Sequence, residues 1–98
     1  MNAWFEALGR RFKEAARKEG VEIAQPELDA QVADEVLELA RVAAHSKERR
    51  FAPLACFMAG VAAERLRQAG ALSPAAEAAY IRAVYQSLEA ESSAAGEQ

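Results

Sequence analysis

Alanine makes up about half of this chain's apolar content: 25 of 98 residues, within an apolar fraction of 52%. Alanine is the best helix former and offers a strand little to pack with, so a chain built this way folds as helices. Large side chains are few, so helices have to approach one another through small residues, and each contributes only a modest core. No segment alternates apolar and polar residues with a period of two. Apolar positions recur instead at three and four.

Proline, glycine and capping residues cut the chain into four such helices. Asn2 is an N-cap for a first helix from Ala3 to about Glu19, with Gly20 just beyond its end. Its stripe is Trp4, Phe5, Leu8, Phe12, Ala15 and Ala16, and Trp4 is expected in the core. Val21 to Gln25 connect to a second helix opened by Pro26, whose positive end suits Glu27 and Asp29. That helix runs to about His45 on a stripe of Leu28, Val32, Val36, Leu39 and Ala43, widened by Leu37 and Ala40. A charged loop, Ser46 to Ala52, leads to Pro53 and a third helix that stops at Gly70, with Leu72 packing back on its last turn. Ser73 and Pro74 open a fourth helix, with Ile81, Val84, Tyr85 and Leu88 inward. The expectation is an all-α protein: one small bundle of four helices over residues 1–91 and a disordered tail over 92–98. Leu54 to Ala63 contains no charge, so the third helix is expected at the centre. Leu54, Phe57, Met58 and Val61 would then be nearly inaccessible, and Cys56 and Ala62 largely covered.

The net charge is −3, which lacks the basic footprint of a nucleic-acid binder. Basic residues gather at Arg10, Arg11, Lys13, Arg17 and Lys18. Glu22, Glu27, Asp29, Asp34, Glu35 and Glu38 follow with no base among them, and both runs read as solvated faces. No apolar run approaches the ~18 residues of a membrane span. The N-terminus lacks a secretory pattern, and the single cysteine, Cys56, suits a reducing compartment, so the cytoplasm is expected.

Catalytic and metal motifs are absent, and no cofactor is expected. His45 and Cys56 cannot supply the three or four ligands zinc needs, and Cys56 reads as a small core hydrophobe. Glu35 and Glu38 share one helix face without matching Glu-x-x-His pairs, so no di-metal site follows. Tyr80 sits at the edge of its helix's stripe. The most informative stretch is the hairpin loop between helices two and three. There His45, Lys47, Arg49 and Arg50 lie between a helix C-terminus and the helix start at Pro53. Such a loop either caps the second helix or binds an anion, with Arg50 near the helix-three amides.

The run Val36-Leu37-Glu38-Leu39-Ala40-Arg41, then Ala44-His45, Ala52-Pro53-Leu54, Phe57 and Gly60 resembles an uncharacterised family of small bacterial helical domains. Like Trp4 here, those domains often carry a Trp near the start of an amphipathic helix. Ser46 and Phe51 stand where the family usually has Gly and Pro. Some of its members resemble C-terminal extensions of molybdenum-cofactor guanylyltransferase-like proteins. The resemblance therefore implies, by association alone, a link to assembly of that cofactor. The function expected is a non-enzymatic interaction or accessory module that self-associates or docks on a protein partner. The alternative is a binding domain for an anionic, phosphate-bearing small molecule at the helix-two to helix-three loop.

Overall fold

The computed structural model describes residues 2–70 and 73–96. Among them are four helices and no strand: α1 (Ala3–Lys18), α2 (Ala30–Ser46), α3 (Phe51–Gln68) and α4 (Pro74–Gly96). The protein is thus all-α. Its residues group into two compact units, Met1–Ala30 and Gln31–Gln98, where the sequence led to one domain.

The first unit is α1 with the segment that follows it. Asn2 caps the helix as expected, its Oδ1 accepting from the Phe5 amide at 3.2 Å. Beyond Lys18 the backbone turns through Gly20 at a φ of 84°, a left-handed conformation that costs glycine little. Pro26 does not open a helix: residues 21–29 are non-helical. The reason is that this segment finds partners on α1. Gln25 Nε2 donates to the Glu6 carbonyl at 3.4 Å, and the Pro26 carbonyl lies over Gly9, where an added Cβ would sit 2.5 Å from its oxygen. Gly9 is accordingly buried. Trp4 is not a core residue but 67% exposed, its ring edge-on to Phe5 at 4.9 Å.

The second unit holds α2, α3 and α4. Its core is Leu39 and Val42 of α2 with Ile81 and Tyr85 of α4, flanked by Val32, Val36, Ala55, Ala59 and Leu88. Two stripes shift from the sequence expectation. Leu37 faces solvent, Val84 is 42% exposed, and Ala78 takes a buried place beside Ile81. The third helix begins at Phe51, so Pro53 falls within its first turn, where no amide is needed. It ends before Gly70, which has a φ of 107°. Ser73 Oγ accepts from the Ala76 amide at 3.0 Å, the cap expected for α4. That helix continues to Gly96, through residues 92–96 that the sequence assigned to the tail. Ala94 and Ala95 are strong helix formers there. Leu72, Glu97 and Gln98 lie outside the described residues.

The largest correction concerns α3. It is not the buried centre: Leu54 is 61%, Phe57 74% and Met58 71% exposed, and Val61 and Ala62 are only partly covered. The helix turns its small residues inward instead. Ala55 and Ala59 pack on the core, and Ala63 is buried. These residues recur every fourth position on one face, and they let α3 lie close to its neighbours. The large side chains share the opposite face, where no neighbouring helix of this unit covers them.

Candidate functional site

At 100° per residue, Phe51, Leu54, Phe57, Met58, Val61, Ala62 and Arg65 fall on one side of α3. Phe57, Met58, Val61, Ala62, Arg65, Leu66 and Ala69, with Tyr80 of α4, line an open groove of about 760 Å³. The groove is mainly apolar, with the Arg65 guanidinium and the Tyr80 hydroxyl as its polar groups. Tyr80 thus joins a surface feature.

Several polar groups of the second unit are bound to one another. Glu35 of α2, whose side chain is 13% exposed, accepts from Arg82 Nη2 at 2.9 Å and Nε at 3.2 Å, and from the Tyr85 hydroxyl at 2.7 Å. Arg82, and next the Tyr85 hydroxyl, hold the Glu35 carboxyl below its ordinary range. The same contacts raise Arg82, and Glu35 together with burial raises the Tyr85 phenol. Arg41 binds Glu38 at 2.9 Å and Glu89 at 3.5 Å, and Glu38 raises its guanidinium. Arg67 Nε donates to Glu77 Oε1 at 2.6 Å, pinning the end of α3 to the start of α4. Glu77 is buried.

The sequence-derived candidates fall as follows. His45 closes α2, and its Nδ1 lies 2.7 Å from the Arg41 carbonyl. A carbonyl oxygen only accepts, so Nδ1 carries the proton and the ring ties back to the helix's last turn. Lys47 and Arg49 are exposed in the turn. Arg50 immediately precedes α3 because that helix starts at Phe51 rather than at Pro53; its side chain makes no cap bond to the helix, and its Nε donates to Glu48 at 2.8 Å. The Phe51 and Ala52 amides donate to the Glu48 and Arg49 carbonyls, and Pro53 has no amide proton. Cys56 is half-buried on the inner side of α3, its Sγ 3.8 Å from the Val36 carbonyl, and burial pushes its thiol up. Among the described residues no three His, Cys, Asp or Glu side chains gather as metal ligands, and no helix is long and apolar enough to cross a membrane.

The outward stripe of α3 is the feature that sequence reasoning missed. A signal for it was present: within the uncharged run, small residues occupy one helical face and large ones the other.

These features define a small all-α domain in which Glu35, Glu77, Arg41, Arg67 and Arg82 are held in ion pairs and large apolar side chains stand exposed on α3 as well as at Trp4 and Phe12 of α1. The family model described as Domain of unknown function (DUF6457) matches residues 1–96, and the chain belongs to that family. No curated protein and no solved structure matches it.

Proposed function

We propose that this protein is a non-catalytic interaction module that works through the outward face of α3. The observation that carries the proposal is the exposure of Leu54, Phe57 and Met58 side by side on one helix. Contiguous apolar surface of this kind marks a place where another macromolecule docks. The commitment of Glu35, Glu77, His45 and Cys56 to structural partners agrees with a role other than chemistry.

The test is capture of partners by the intact chain from cells that make it, alongside Phe57→Asp. A molybdenum-cofactor guanylyltransferase-like enzyme is the defined bait to include, because residues 36–63 resemble a family some of whose members look like C-terminal extensions of such enzymes. A defined partner, either that enzyme or another copy of the chain, should be held by the wild type and released by Phe57→Asp. Equal capture by both chains contradicts the proposal, as does a wild type that stays monomeric and holds nothing.

A further inference from the structure

The composition and size of the α3 stripe select its occupant. From Phe51 to Ala63 the helix carries no charge. Nothing within that span repels an identical surface, and the one charge in the adjoining groove, Arg65, lies beyond its end. At the exposures of Leu54, Phe57 and Met58, with Phe51 and Tyr80 at the margins, the stripe offers on the order of 500 Å² of apolar surface, counting about 150–200 Å² for a whole large side chain. That lies toward the upper end of what a soluble monomer leaves uncovered. Two such stripes face to face cover about 1,000 Å², the area at which specific interfaces begin.

Resting on the interaction-module assignment above, we infer that the outward stripe of α3 is the two-fold interface of a dimer of this chain. In a two-fold contact residue i meets residue j while j meets i. With the two α3 helices antiparallel and the axis beside Met58, equal steps to either side pair Leu54 of one copy with Ala62 of the other, and Phe51 with Arg65. At Leu54 a large residue then faces the small Ala62, which lets the helices approach closely there. The groove formed by Met58, Val61, Ala62, Arg65 and Tyr80 receives Leu54 and Phe51 of the second copy. The Arg65 guanidinium comes to rest on the Phe51 ring, a cation–π contact at the edge of the interface. Met58 meets its own equivalent on the axis. An interface of this area sits at the low end of specific contacts, the class of weak and transient association.

The experiment is sedimentation velocity on the full chain from micromolar to near-millimolar concentration, on wild type, Met58→Asp and Leu37→Asp. Met58→Asp sets two carboxylates against each other on the axis, and Leu37→Asp charges an exposed apolar residue of α2 instead. The wild type and Leu37→Asp should shift from monomer to dimer across the series, and Met58→Asp should stay monomeric with unchanged helicity by circular dichroism. Because Met58→Asp can also fail by unfolding, a second measurement uses the wild type itself. In a mixture of differently isotope-labelled copies, intermolecular methyl contacts should connect Leu54 with Ala62. A wild type that stays monomeric throughout overturns the inference, as does a dimer that Met58→Asp leaves intact or a dimer lacking the Leu54–Ala62 contact. A monomer that still loses a defined partner on Phe57→Asp removes the two-fold dimer and leaves the interaction module standing. A monomer that captures nothing removes both.

Discussion

Replacing Ile81 by Ala removes Cγ1, Cγ2 and Cδ1 from a side chain that is 2% exposed and packed against Leu39, Val42 and Tyr85. Losing that buried hydrocarbon costs about 2–3 kcal/mol at roughly 0.8 kcal/mol per carbon. The cavity left behind adds to this, for about 3 kcal/mol in all, limited because the partly exposed Val32, Val36 and Leu88 can close in. A domain of this size has only about 5–15 kcal/mol of stability. Phe57→Ala is the contrasting change. A fully buried Phe would cost about 3–5 kcal/mol, but only about a quarter of Phe57 is covered, which leaves about 1 kcal/mol. In urea, with a slope near 1–1.5 kcal/mol per molar, the Ile81 variant should lose about 2–3 M from its midpoint and the Phe57 variant less than about 1 M. The assay is urea unfolding followed by far-ultraviolet circular dichroism at low protein concentration, where self-association contributes nothing. Equal losses for the two variants would refute the outward placement of Phe57, and a small loss for Ile81→Ala would refute the location of the core.

Other outcomes follow from local contacts. Glu35, held below its ordinary pKa chiefly by Arg82, contributes stability above the usual carboxylate range that is lost as pH falls through its lowered value, so wild type should lose melting temperature on acidification more steeply than Glu35→Gln. Equal acid slopes would contradict that bond. Tyr85, raised chiefly by Glu35, contributes stability below ~10 that is lost as pH rises through its raised value. Cys56, raised by burial, should alkylate many-fold more slowly in the native protein than in urea, with its reactive thiolate appearing at higher pH than that of a free cysteine. Fast native alkylation at neutral pH would place the thiol outside. Gly9→Ala in an open helix would gain up to about 1 kcal/mol, but here the Pro26 carbonyl occupies the space. The substitution should instead speed hydrogen exchange over residues 21–29, and a rise in melting temperature without such a change would show that the segment does not lie there.

How much of this was legible in the sequence depends on how local each cause is. Asn2, Gly20, Gly70 and Ser73 act within one turn of their own helix, and the caps and stops they foretell are present. Pro26 misled because its effect is decided by a partner far along the chain, the bare backbone at Gly9. The α3 orientation misled for a different reason. Absence of charge between Leu54 and Ala63 shows that water need not reach the helix, not which side meets the core. Size decides that, because Ala55, Ala59 and Ala63 allow close approach and Leu54, Phe57 and Met58 do not. The Glu35, Arg82 and Tyr85 cluster joins residues 47 and 50 positions apart. Only the last two share a helix face, so nothing local marked Glu35. At the α2–α3 turn the sequence sets His45, Lys47, Arg49 and Arg50 close together, while the contacts of Arg50 with Glu48 and of His45 with the Arg41 carbonyl appear only with the chain folded.

The central claim, that α3 presents its large apolar side chains outward for docking, is tested most directly by methyl nuclear magnetic resonance with a soluble paramagnetic probe. In dilute protein the Met58 and Leu54 methyl signals should broaden strongly while those of Leu39 and Ile81 persist, as their 4% and 2% exposures require. At high concentration, Met58 and Leu54 should become protected as the stripe is covered. Methyl signals of Met58 as protected as those of Ile81 in the most dilute sample would contradict the account, because α3 would then be turned into the core.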